Sequence, residues 1–178
     1  MRFELWNGSG DDVIDQLQQG LADLAVIAAP FDAERLNSIH VGSEPWVALI
    51  SKDNPLAALP GDTLPLRMLD GQELIVPRRK SRVEAIRQWF AGEGITPQIL
   101  CEQSNYLDAL ALTRANAGVS IFPQTMENHD SAIVVKPISE PSRQAEYYLV
   151  WDKRRRLSSP AEAFLDFVSD CLAEDSKK

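Results

Sequence analysis

Two hydrophobic periods alternate along this chain. Short apolar runs at Leu24–Ile27, Leu74–Val76, Val119–Phe122 and Tyr147–Trp151 predict strands. A run with no polar interruption, such as Leu24–Ile27, is the pattern of a strand buried on both faces. Weaker strand signals lie at Phe3–Trp6, Glu44–Ser51, Gln98–Cys101 and Ile133–Val135. Between the runs, apolar residues recur at helical spacing. Four stripes result: Val13, Ile14, Leu17 and Leu21; Val83, Ile86 and Phe90; Leu107, Leu110 and Ala111; and Phe164, Leu165, Val168, Cys171 and Leu172.

Capping chemistry sets the helix ends. Ser9 or Asp11 opens the first helix and Gly20 closes it. Ser81-Arg82-Val83-Glu84 reads as a capping box for the second, stopped by Gly92 and Gly94. Ser104 and Asn105 are both suited to cap the third, with Asp108 in capping-box spacing to Asn105. Gly118 is expected to supply its left-handed terminator. Ser159-Pro160-Ala161-Glu162 combines a capping box with proline at the first helical position. Lys52 to Pro65, with three prolines, reads as a loop holding a short helical turn, and Ala173 to Lys178 is expected to fray.

The order of elements predicts an α/β fold. Phe3 to Ile27 forms one strand–helix–strand unit, and Leu74 to Phe122 alternates strand and helix again. Residues 1–50 and 146–178 are assigned to a first lobe and 51–145 to a second. The crossings fall near Ile50–Asn54 and within Tyr147–Trp151. Ligands of open α/β sheets bind beyond the carboxyl ends of strands. Those positions here are Ala28 to Phe31 (Ala29 among them), Arg78 and Arg79, Ser104 and Asn105, and Phe122, Pro123 and Gln124.

Composition narrows the function. The 178 residues are 44% hydrophobic and 25% charged, ordinary for a globular protein. The net charge of −8 makes the chain a poor nucleic-acid binder, since such affinity rests on basic contacts to phosphates. Two distant cysteines, Cys101 and Cys171, form no disulfide framework, which fits a reducing compartment. No run approaches membrane-spanning length and the N-terminus lacks a signal-peptide core, so a cytoplasmic location is expected.

The chemistry on offer is binding. Arg78-Arg79-Lys80, followed by Arg82, lies at the expected start of a helix. A helix N-terminus favours anions and disfavours cations by about 0.3–1 kcal/mol each. Three cations there suggest that an anion is meant to arrive; the alternative is three side chains fanning into solvent. Ser9 and Ser104 either contact a ligand or only cap their own helices. Phe31 and Phe122 either line a site or belong to the core. His40 and His129 have no metal-ligand spacing around them beyond Asp130. Cys101 has no activating base in sequence and reads as an inert thiol. No phosphate-binding loop, nucleophile elbow or dinucleotide fingerprint occurs, so neither enzyme activity nor a cofactor or metal is expected. Lys153-Arg154-Arg155-Arg156 reads as a solvated turn.

Three stretches carry a resemblance. GLADLAVI (Gly20–Ile27), EPWVALISKDNPLA (Glu44–Ala57) and AGVSIFP (Ala117–Pro123) occur in the order and at the separations found in the effector-binding domain of LysR-type transcriptional regulators. The chain resembles that family from Phe3 to about Phe167. The resemblance implies a two-lobe fold like that of periplasmic binding proteins, with two crossing strands and a small-molecule effector in the interlobe cleft. It begins at the family's second strand, so the first lobe is expected to lack its first strand and helix. It implies effector contacts at Ser9 and Ser104, with Ala29, Asn105, Phe122 and Pro123 lining the cleft; the cations at Arg78 and Arg79, beside a helix start, add the expectation that the ligand is a carboxylate or other anion. It further implies a homodimer, for which Trp89 is either an interface aromatic or a residue that widens the buried face of its helix, and DNA contact only through a reader domain absent from this chain. A stand-alone solute-binding module of a transport system is the alternative reading.

Overall fold

The computed structural model describes residues 3–124 and 130–175. The chain divides into two units, residues 1–43 with 146–178 and residues 44–145. It passes from one to the other within two strands, β2 (Leu36–Ser51) and β8 (Gln144–Asp152). The sequence reading sets the first crossing at residue 50.

In the first unit, helix α1 (Gly10–Gln19) packs on a sheet ordered β1 (Ala25–Ala28), β8 and the first half of β2. β1 pairs antiparallel with β8, Ala25 opposite Val150 and Ala28 opposite Tyr147. Leu17 of α1 is buried against Ala25, Ile27, Leu36 and Val150, with Val13 and Ile14 at the margin. Two expectations fail here. Phe3–Trp6 is not a strand: it joins no ladder among the described residues, and Phe3 and Leu5 stand exposed. The first expected parallel strand–helix–strand unit is therefore not formed. β1 is buried on one face only, because successive side chains point to opposite faces and Val26 is 59% exposed. Leu21 is exposed because it lies beyond Gly20, whose φ of 75° ends α1.

Helix α4 (Ser159–Asp175) closes the chain. Ser158 Oγ accepts from Ala161 N, so the cap falls one residue before Ser159 and the expected box is not formed. Only Ala161 of its apolar positions is fully buried. Leu165, Val168 and Leu172 are half-buried, while Phe164 and Cys171 are exposed.

The second unit holds a sheet ordered β3 (Leu64–Pro65), β7 (Ile133–Ser139), the second half of β2, β6 (Val119–Pro123), β4 (Glu73–Pro77) and β5 (Gln98–Gln103). β6, β4 and β5 run parallel, and β2 runs antiparallel to both β6 and β7. Trp46 to Ser51 is buried throughout because this half of β2 is flanked by strands and covered on both faces. Helix α3 (Tyr106–Arg114) covers one face, Tyr106 and Leu110 packing on Val47, Leu49 and Ile133. Helix α2 (Lys80–Gly92) covers the other, where Trp89 meets Trp46 edge-to-face with ring centroids 6.2 Å apart.

Three sequence expectations change in this unit. The α3 stripe is rotated: Ala109 and Thr113 are buried, whereas Leu107 is 64% exposed and Ala111 is exposed. Gly118 does not terminate α3. The helix ends at Ala115, and Asn116 takes the left-handed conformation at φ 54°. Gly118 is needed for a different reason: a Cβ there would lie 2.7 Å from the Glu73 carbonyl oxygen of β4. Trp89 is 2% exposed, with its Nε1 donating to Pro141 O at 3.0 Å and Arg143 over its ring, so it is core and not an interface aromatic.

Candidate functional site

Parallel strands bring their carboxyl ends to one edge. In the second unit those ends are Pro77 of β4, Gln103 of β5 and Pro123 of β6, with Pro77 directly opposite Gln103. Helices α2 and α3 both start from this edge. The structure therefore gathers Arg78, Arg79, Ser104, Asn105, Phe122 and Pro123 along it, although they are spread over more than forty positions of sequence. Arg78 N donates to Gln103 O at 2.9 Å, which ties the two turns together.

The two helix starts differ. α3 is capped by Asn105, whose Oδ1 accepts from Leu107 N at 2.9 Å, while Ser104 is exposed and is not the cap. α2 begins one residue before Ser81, with Arg79 in the N-cap position and no side-chain cap. The Ser81–Glu84 capping box is thus not formed. Ser81 sits inside the first turn, and its Oγ is buried without a hydrogen-bond partner. No acidic residue occupies the first turn of α2. Arg78 is exposed and Arg79 half-buried. Arg82 is 7% exposed with its guanidinium 5.1 Å from the Trp46 ring centroid, so it belongs to the core and not to the cation cluster.

Phe122 and Pro123 lie under the edge. Phe122 is 8% exposed and packs on Ile75, Ala109 and Tyr106. Tyr106, at the first position of α3, stands over Phe122 with centroids 5.8 Å apart, and burial raises its phenol pKa. Sequence reasoning passed over Tyr106; its place directly after the Asn105 cap is the signal that marks it.

In the first unit α1 and β1 form a reversal, so the start of the helix and the end of the strand share one end. Ser9 and Ala29 lie there. Ser9 Oγ donates to Asp12 Oδ2 at 2.5 Å and accepts from Asp12 N at 3.3 Å, a complete capping box. The hydroxyl is engaged, and Asp11 and Asp12 place negative charge in the first turn. This end is thus less favourable to an anion than the start of α2. Ala29 N donates to Glu146 O at 2.9 Å. Phe31 packs against the core cluster of α1.

The basic turn after β8 is tied down and not merely solvated. The Arg154 guanidinium donates to Asp152 at 2.8 and 3.1 Å, and this bonding holds the Asp152 carboxyl down at about 2. Arg155 donates to Gln18 O at the end of α1, and Lys153 Nζ to Ala33 O. A cavity of about 220 Å³ beside this turn is bordered by both signs of charge, Asp23 and Asp152 against Arg155 and Arg156.

No group of three or more potential metal ligands occurs among the described residues, where His40 lies; His129 falls outside them. No helix among the described residues is long and apolar enough to cross a membrane.

Fold and family agree. Residues 1–173 match the family model described as the LysR substrate binding domain, and the chain belongs to that family. The family is made up of the sensing domains of transcriptional regulators and is not one of enzymes. Two relatives are named as transcriptional regulators. The uncharacterized HTH-type transcriptional regulator YybE of Bacillus subtilis (strain 168) is 25% identical over 97% of this chain and 59% of its own length. The uncharacterized HTH-type transcriptional regulator YfeR of Shigella flexneri is 30% identical over 96% of this chain and 55% of its own. The chain thus spans little more than half the length of these relatives. Among solved structures, the effector binding domain of QuiR in complex with shikimate is similar with a TM-score of 0.85 and 23% identity. The likeness covers 93% of this chain and 79% of that one.

Proposed function

We propose that this chain is the effector-sensing part of a cytoplasmic LysR-type regulator, and that its effector is a small anion, most simply a carboxylate. One observation carries the reading: the start of α2, at an edge where three parallel strands end, has no side-chain cap, no acidic residue in its first turn and Arg78 and Arg79 beside it. Helix amides, the helix dipole and guanidinium groups favour the same sign of ligand charge. Ser104, Asn105 and Tyr106 at the neighbouring helix start add hydrogen-bonding groups, with Phe122 and Pro123 as the floor. Shikimate, the ligand named with the QuiR domain, has the required carboxylate. DNA would be read by another part of the parent protein, and the acidic balance of this chain supports that division of labour.

The test is calorimetry with shikimate and with inorganic phosphate as probes. Replacing Arg78 and Arg79 together by Gln is expected to lower anion affinity about tenfold or more, since hydrogen bonds to charged groups contribute roughly 1.5–3 kcal/mol. The residual affinity is expected to depend less on salt. Unchanged affinity in the double variant and in Ser104→Ala would overturn the assignment.

A further inference from the structure

The cavity of about 220 Å³ beside the turn after β8 lies wholly in the first unit and shares no residue with the anion site at α2. Two elements border it. From the end of α1 come Leu17 and Asp23, and from the turn come Asp152, Arg155 and Arg156. Its volume is that of about seven waters at ~30 Å³ each. That is too little for a drug-sized ligand and enough for a small metabolite.

The charges around this space do not cancel. Asp152 is engaged by Arg154, whose guanidinium donates to both carboxylate oxygens. Arg155 is held in place: it donates to Gln18 O at 3.0 Å, and its guanidinium lies so close over Gly20 that a side chain there would collide with it. A guanidinium carries several N–H donors in a fixed fork, so the bond to Gln18 leaves others for an occupant. Asp23 and Arg156 are exposed, and their side chains have no partner among the described residues. One carboxylate and two guanidiniums therefore remain. The complement of that set is one ammonium and two carboxylates. An ammonium is favoured beside Asp23, since the last turn of α1 holds no basic residue and helix carboxyl ends favour cations. Carboxylates are favoured by charge-assisted hydrogen bonds from Arg155 and Arg156. Leu17, 1% exposed, supplies an apolar floor for a short carbon chain. We infer that this cavity binds a small acidic amino acid, of the size of aspartate or glutamate, which ties the end of α1 to the turn after β8. The inference does not rest on the anion site at α2.

Calorimetry of the chain with three probes tests it: L-aspartate, succinate, which lacks the ammonium, and L-alanine, which lacks the second carboxylate. One L-aspartate per chain is expected to bind, about tenfold or more tightly than either of the others, because each lost charged hydrogen bond matters that much. Asp23→Asn and Arg156→Gln alter exposed side chains without partners and are expected to melt as the parent does. Asp23→Asn is expected to cut L-aspartate affinity about tenfold without weakening succinate, whereas Arg156→Gln is expected to weaken both. The Arg78→Gln, Arg79→Gln variant is expected to bind L-aspartate unchanged. No binding of L-aspartate at millimolar concentration, equal affinity for succinate, or an affinity untouched by Asp23→Asn and Arg156→Gln would overturn the site. Loss of L-aspartate binding in the Arg78→Gln, Arg79→Gln variant would overturn it too, by moving the amino acid to the α2 edge. Loss of shikimate binding in that variant, with L-aspartate binding intact, supports both sites.

Discussion

Gly118 and Asp152 are each fixed by a neighbour distant in sequence. Gly118 lies against the Glu73 carbonyl, and the obstruction is backbone, which does not swing aside. Gly118→Ala is therefore expected to destabilise the second unit by about 1–3 kcal/mol, the usual range for overpacking. Urea unfolding followed by tryptophan fluorescence measures this, since Trp46 and Trp89 lie in that unit. Asp152 is 3% exposed and paired with Arg154. Its folded pKa of about 2 is below the value near 3.9 expected in an unfolded chain. A depressed carboxylate pKa stabilises above the unfolded value, and this contribution disappears as pH falls toward 2. Asp152→Asn is expected to lower stability at pH 7, and its loss relative to the parent to shrink between about pH 4 and pH 2. Thermal melts across that range would show it; a difference independent of pH would contradict the ion-pair account.

At the scale of elements, the helix starts decide which residues are free to bind. Sequence made Ser104 and Asn105 equal candidates for the α3 cap, and the structure gives that role to Asn105 alone. Asn105→Ala is thus expected to cost about 0.5–2 kcal/mol of stability. Ser104→Ala is expected to leave stability unchanged and to affect only anion affinity. A combined thermal and calorimetric comparison checks both, and equal destabilisation by the two substitutions would contradict the assignment. The same logic separates α1 from α2. A capping box with Asp12 closes the first to anions, and the absence of any side-chain cap leaves the second open.

For the whole molecule, family membership supports a homodimer as a proposal, although Trp89 lends it nothing. Light scattering at tens of micromolar is expected to give twice the mass of one chain. A mass of one chain would count against the proposal.

The sequence by itself determined the α/β class, most strands of the second unit and the family. Those properties reside in local periodicity and in short motifs, which need no knowledge of neighbours. It also placed Arg78, Arg79, Ser104 and Asn105 at the right strand ends, because strand and helix boundaries are written in capping and breaking residues. Tertiary structure decided the rest. Whether Phe3–Trp6 becomes a strand depends on a pairing partner, which no local pattern encodes. Whether Gly118 is needed for its backbone freedom or for its missing side chain depends on β4 passing beside it. Whether Trp89 faces solvent depends on Trp46 and Arg143. The pairing of His40 with Glu146 joins two strands 106 residues apart, and only the fold brings an imidazole and a carboxylate of that separation into hydrogen-bonding distance.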